Sequence, residues 1–353
     1  MNQLAAPPSL IVRSADLRDP AEVARIDAFV AEHPDATLFH RPQWTMAAER
    51  GCGARSHYLV AEDAGGAIAG ILPLSEVRSR LFGNALVSAG FGTGGGIVGQ
   101  GAEQLASAAW SLAGSLGCKS AELRGGPVPR GWHETSGTYA CFGRVLPGDS
   151  DTLLKSIPRK QRAEVRRAQG FDLQVSAGSD RRHREAHYAV YSESVRNLGT
   201  PVFPRPLFEA ALDLFGNDSE VVLISRDDRP LASILTFYFK GRAYAYWGGG
   251  IAGAREWRAN DLVYFATMAR AIERGCAYAD FGRSKVGTGP HARKRIWGFD
   301  ETPLTYATRT ADGSPARQVN PLDPKYKRRI EAWQRLPLWL ANRVGPLISR
   351  GLG

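Results

Sequence analysis

One phrase occurs twice in this chain: Gly117-Cys118-Lys119-Ser120-Ala121-Glu122-Leu123-Arg124 and Gly275-Cys276-Ala277-Tyr278-Ala279-Asp280-Phe281-Gly282. Each copy follows an apolar run with helical spacing and ends in a short strand-like segment that carries an acid. Upstream of each lies a matching hairpin segment, Gly66-Ala67-Ile68-Ala69-Gly70-Ile71-Leu72 and Arg229-Pro230-Leu231-Ala232-Ser233-Ile234-Leu235. The hairpins, aligned on Ala69 and Ala232, stand 163 residues apart, and Cys118 and Cys276 stand 158 apart. Two offsets this close are what a duplicated domain with one small indel leaves behind. The length of 353 residues agrees, since domains of about 150 residues are the usual size of one core.

The order of elements repeats as well. In the first half, Leu10 to Ser14 is an opening strand, Pro20 to Glu32 has helical spacing, and Pro42 begins a second helix. Strands flank the turn Asp63-Ala64-Gly65-Gly66, and a Gly-rich stretch, a helix (Glu103 to Leu116) and a strand (Ser120 to Arg124) follow. In the second half come two helices, a three-strand meander over residues 220–248, a helix from Asp261 to Arg274 and a strand from Tyr278 to Gly282. We therefore expect an α+β protein of two tandem domains, 1–148 and 173–311, with mixed central sheets flanked by helices. Residues 149–172 are expected to form one connecting basic helix, and 312–353 a basic, Trp-containing tail.

The net charge of +10 favours anionic partners. Cys52, Cys118, Cys141 and Cys276 show no C-x-x-C spacing, so neither a metal site nor a disulfide framework is expected. Met1 to Arg13 lacks the basic flank and apolar core of a signal peptide, and no apolar run is long enough to span a bilayer. The expected location is cytoplasmic, with the tail as a candidate contact to the inner face of the membrane through its cations and Trp333 and Trp339. The bland alternative is a tail docked on the domains, with Pro337 and Pro346 interrupting a long helix.

The densest candidate site follows the second copy of the phrase. Residues 283–299 hold Arg283, Lys285, Arg293, Lys294 and Arg295 on what reads as a loop, with Gly287 and Gly289 in its turn. Cations and free backbone amides converging there suit a phosphate-bearing donor or a developing oxyanion. Asp280 is a candidate general base, and Tyr246 a candidate groove residue. Arg159, Arg162 and Arg166 share one helical face and suit phosphates of a carrier, a tRNA or a lipid-linked sugar. After the first copy, Gly125 to Trp132 carries a single arginine, which places chemistry in the second repeat.

Asp280-Phe281-Gly282-Arg283-Ser284-Lys285, then Gly287-Thr288-Gly289-Pro290, then Lys294-Arg295-Ile296-Trp297-Gly298-Phe299 resembles the C-terminal signature of FemAB-type proteins. Together with Ile157 to Arg162 and Asn320 to Tyr326, it is most similar to the subgroup associated with the exosortase (XrtA)/PEP-CTERM system. The resemblance implies two acetyltransferase-like (GNAT-type) domains of the acyl-CoA N-acyltransferase superfamily. It implies transfer of an acyl or aminoacyl group to an amine on a cell-envelope or exopolysaccharide-related precursor. Lys294 stands where family members carry a lysine that stabilises the reacting acyl group, with Trp297 as the following aromatic and Arg293 where an aromatic is often found.

The donor is open between acyl-CoA and aminoacyl-tRNA, used as co-substrate with no tightly bound cofactor. Residues 171–250 hold no pair of long helices of the kind linked to tRNA contact, and Gly248 to Arg255 lacks the pyrophosphate-binding pattern of acetyltransferases. The rival expectation is a non-catalytic protein that binds an anionic envelope polymer or membrane surface.

Overall fold

The computed structural model describes residues 10–79, 83–313 and 324–352. The chain divides over two units, each with its own sheet; the first runs to Thr135 and resumes at Thr305, and the second takes Ser136–Leu304 and the tail through Arg350. Residues 1–9, read above for a leader, lie outside the described residues, as do residues 314–323 of the tail with the motif Asn320-Pro321-Leu322-Asp323.

The chain opens with β1 (Ile11–Ser14) and α1 (Pro20–Glu32), whose cap Asp19 accepts a 2.9 Å hydrogen bond from the Ala21 amide. Pro42 starts α2 (Pro42–Cys52). A hairpin of β2 (Arg55–Glu62) and β3 (Ile68–Ser79) turns at Asp63, whose carboxylate accepts from the Gly65 and Ala67 amides. Then come β4 (Gly83–Ser88), the short β5 (Val98–Gly99), α3 (Ala102–Ser115), β6 (Ser120–Arg124) and β7 (His133–Thr135). Next are β8 (Tyr139–Val145), α4 (Ser150–Ser156), α5 (Arg159–Gln169), β9 (Gln174–Gly178), α6 (Arg181–Asn197) and α7 (Arg205–Phe215). The second meander is β10 (Ser219–Arg226), β11 (Arg229–Phe239) and β12 (Arg242–Gly250), followed by α8 (Ala259–Glu273) and β13 (Tyr278–Lys285). The chain ends in α9 (Gly289–Ile296), β14 (Asp300–Pro303), β15 (Tyr306–Thr310), α10 (Pro324–Gln334) and α11 (Leu338–Ser349).

The first sheet has the order β1-β2-β3-β4-β6-β15-β7 with β5 on β3, and the second β14-β8-β13-β12-β11-β10-β9. The duplication is plain in the registers. In each sheet an antiparallel meander ends in one parallel pair, β4–β6 and β12–β13, with Val87 opposite Glu122 and Tyr244 opposite Asp280. The repeated phrase ends α3 and α8 identically. Gly117 and Gly275 take φ of +70° and +74°, and the Cys118 and Cys276 amides donate to carbonyls five residues back, at Ala113 and Ala271. Both cysteines are buried. Each unit has its own apolar core, one around Leu72, Leu86, Leu105 and Leu123, the other around Val222, Ile234, Met268 and Phe281.

Three expectations change. The connecting segment is two helices rather than one, because Pro158 disfavours helical backbone at Ile157, which sits at ψ 142°. Residues 126–148 do not simply close the first unit: β8 pairs with β13 and β14 in the second sheet, while β15 returns between β6 and β7. Residues 289–296 are a helix, not a loop. The tail docks on α6 and the segment after it: the Arg196 guanidinium donates to Gln334 O at 3.0 Å, and Ser349 Oγ to Val202 O at 2.8 Å. Pro337 separates α10 from α11, but Pro346 lies within α11.

Candidate active site

β12 and β13 stay paired only through Tyr244 and Asp280, and beyond that point each runs on without the other. Two bulges part them. On β12 the pairing with β11 skips Tyr246, between Ala245 and Trp247. On β13 the pairing with β8 skips Phe281 and Gly282. Gly282 has φ +65°, a conformation that only glycine adopts at little cost, and Asp280 Oδ1 fixes it by accepting the Gly282 amide at 2.6 Å. The ring of half-buried Tyr246 lies against Gly282, at 3.8 Å from where a Cβ would stand.

Lys294 reaches this opening from α9. Thr288 is the N-cap and Pro290 sits in the first turn, which is why a Gly-Thr-Gly-Pro turn leads into helix. His291, Lys294 and Trp297 follow at three-residue spacing and are buried. Lys294 is only 8% exposed. Its Nζ donates to the carbonyls of Gly282 at 3.1 Å and Arg283 at 3.2 Å, and lies 5.5 Å from the Phe142 ring. Burial lowers its pKa to about 8, against the opposing pull of Cys141 and Asp280. Burial likewise raises the Asp280 carboxyl above its ordinary value, with the Gly282 amide and Lys294 opposing.

The neighbouring cations go elsewhere. Arg293 forms a 2.6 Å ion pair with Asp261 in the first turn of α8, and Arg295 lies 3.7 Å from Glu301. His291 Nε2 sits 2.9 Å from Glu301 Oε1. The Arg283 guanidinium and Lys285 ammonium both stand over the Tyr139 ring, at 4.8 and 5.8 Å. Burial also lowers the Lys285 pKa. Gly287 takes φ +81° in the turn before α9, and Gly289 begins that helix. Trp297 is fully buried against Tyr264 and Phe299. Its indole N–H, like the Ser284 hydroxyl, has no hydrogen-bond partner among the described residues.

Asp280, Gly282, Lys294 and Tyr246 therefore come together around the bulges. Arg159 and Arg166 stand exposed on α5, and Arg162 donates to Lys155 O at 2.8 Å. Sequence reasoning missed Gly282, Cys141 and Phe142. The last two come from β8, and nothing local marks that strand as a neighbour of β13. In the first unit the counterpart acid, Glu122, is paired at 2.7 Å with Arg124, which also donates to Gly92 O. A separate groove of about 540 Å³, lined by Leu173, Val175, Val222, Leu262, Phe265 and Arg270 among others, contains none of the predicted site residues. Among the described residues no group of His, Cys, Asp and Glu is arranged to hold a metal ion, and no helix is long and apolar enough to cross a membrane.

A sheet whose meander ends in a parallel pair that parts at a bulge is the decisive feature. Residues 155–293 match the acetyltransferase (GNAT) domain family. The match runs from α4 into α9 and includes the parted strands β12 and β13. Solved structures extend the likeness over both units. FemX aligns at 15% identity and a TM-score of 0.64, covering 80% of this chain and 95% of FemX. A tandem GNAT protein from the clavulanic acid biosynthesis pathway aligns at 11% identity and 0.55, covering 88% of this chain and 100% of the other. L-PGS from Bacillus licheniformis aligns at 12% and 0.51, covering 90% and 98%. At these identities the likeness is one of fold, and the fold is that of tandem GNAT-like domains. No protein of curated function matches the chain in sequence.

Proposed function

We propose that the protein is a FemAB-type N-acyltransferase that forms an amide on an amine-bearing cell-envelope or exopolysaccharide-related precursor. The observation that carries this reading is the buried Lys294 ammonium, held by two carbonyls at the bulge where β12 and β13 part. An ammonium has three donors. With two given to Gly282 and Arg283, the third is left for an acyl oxygen entering between the strands.

The acceptor nitrogen attacks the acyl carbonyl and the carbonyl oxygen gains negative charge. Lys294 stabilises that oxyanion in a site that water screens poorly. Collapse breaks the bond from the acyl carbon to the donor, a C–S bond in a thioester or a C–O bond in an aminoacyl ester. The proton lost by the amine passes to Asp280, whose raised pKa makes it a stronger base than an ordinary aspartate, and then to the leaving group. Arg283 and Lys285 bind phosphate of donor or acceptor. The resemblance to FemAB-type proteins suggests an aminoacyl donor and the acetyltransferase (GNAT) match an acyl-CoA, so both enter the test.

The test is transfer from CoA thioesters and aminoacyl-tRNA to amine acceptors, with Lys294→Ala and Lys294→Arg beside the wild type. Lys294→Ala is expected to lower kcat by about a hundredfold or more, with partial recovery in Lys294→Arg. Undiminished transfer by Lys294→Ala would remove the assignment. Failure of the wild type with every donor, together with binding of an anionic polymer, would replace the enzyme reading with a binding one.

A further inference from the structure

The tail helix α11 has two faces of opposite character. One face, Ala341, Gly345 and Ser349, is buried in the second unit. A Cβ on Gly345 would stand 3.0 Å from the Val202 amide nitrogen, so the small residues are what let the helix lie close. About half a turn away, Trp339, Arg343, Leu347 and Arg350 are exposed at four- and three-residue spacing. Trp339 is 69% and Leu347 72% exposed, two of the most exposed large apolar residues among those described. Leu340, Val344 and Ile348 border this stripe and are half-exposed.

The charge beside the stripe is one-sided. Segment 324–350 contains Lys325, Lys327, Arg328, Arg329, Arg335, Arg343 and Arg350 against a single acid, Glu331. Lys327, Arg328 and Arg329 are exposed on α10, and Arg335 in the turn between the helices. Several surface arginines elsewhere on the second unit are tied to acids, as in Arg181–Glu185, Arg184–Asp213 and Arg205–Glu209. A lone exposed leucine means nothing. A tryptophan and a leucine on one stripe, flanked by cations of a kind whose long stems can follow apolar surface while the charge stays in water, match the boundary between lipid headgroups and acyl chains.

We propose that α10 and α11 dock the protein on an anionic lipid bilayer, with Trp339 and Leu347 entering the interface and the surrounding lysines and arginines binding headgroup phosphates. The helix remains packed on α6 and lies flat on the membrane; it does not span it. This rests on the tail alone and not on the transfer reaction, so its failure would leave the Lys294 assignment untouched.

The test is co-sedimentation of the full chain with phosphatidylcholine vesicles, with and without phosphatidylglycerol. Binding is expected to the anionic vesicles only and to weaken as salt rises. Changing Lys327, Arg328 and Arg329 to Ser should weaken it on the order of fivefold per residue. The double variant Trp339→Ser, Leu347→Ser should weaken it by about tenfold or more. Brominated acyl chains should quench part of the tryptophan emission, and Trp339→Phe should bind but lose that part. All these residues are exposed, so unchanged thermal unfolding of the variants confirms that the fold is intact. Equal binding to neutral vesicles would overturn the proposal, as would unaltered binding by the double variant. So would a lipid-free dimer that the same double variant dissociates, which would make the stripe a contact between copies of this chain.

Discussion

Lys294 carries its charge where burial disfavours it, and that has a measurable cost. Its pKa falls from 10.5 to about 8 in the folded protein. Between those values the unfolded chain binds more protons than the folded one, so stability must rise with pH; below about pH 8 the whole penalty is present. Urea unfolding at a series of pH values should show the wild type gaining up to about 3 kcal/mol across this window, a gain absent from Lys294→Met. Parallel curves for the two proteins would show that the group does not titrate there. If the charged form stabilises the oxyanion, transfer should also decline as pH passes about 8, and Lys294→Arg should carry that limb to higher pH. The motif around Lys294 was legible in the sequence. That Arg293 beside it is bound to Asp261 was not, because one helical step turns a side chain by about 100° toward a different partner.

At the scale of the element, the repeated phrase is a helix ending and the strand after it. Gly117 and Gly275 have positive φ, and a Cβ at either would meet nothing within 4 Å. Gly117→Ala and Gly275→Ala should therefore each cost about 1 kcal/mol, nearly equally, through backbone conformation alone. Chemical denaturation would measure this, and a loss several times larger at one site would break the equivalence of the two caps. Gly282→Ala differs, because the same strain falls on the bulge beside Lys294; transfer should drop further than stability does. Helix ends and hairpins were readable because their signals lie within a few residues. The segment 289–296 was misread because Gly and Pro mark turns and helix starts alike, and only the packing of His291, Lys294 and Trp297 decides between them.

For the whole molecule, the exchange of strands sets what can be cut. β8 lies between β13 and β14, and β15 between β6 and β7. A fragment begun at residue 149, the expected boundary, would strip β14 of its partner and expose one edge of β13. We expect it to aggregate or lack fixed tertiary structure, and a fragment begun at Ser136 to be soluble and ordered; near-UV circular dichroism and gel filtration would tell them apart. Equal behaviour of the two would show that β8 is dispensable. By itself the sequence determined the duplication, the repeated order of meander, helix and strand, the matching helix ends at Gly117 and Gly275 and the choice of the segment around Lys294 as the candidate site, since each is written in residues close together along the chain. Tertiary structure alone decided that β8 and β15 join sheets away from their sequence neighbours, that two bulges part β12 from β13, and that Lys294 lies deep enough to lose much of its basicity. Those depend on contacts between residues far apart in the chain, and burial, which no local pattern records, sets their electrostatics.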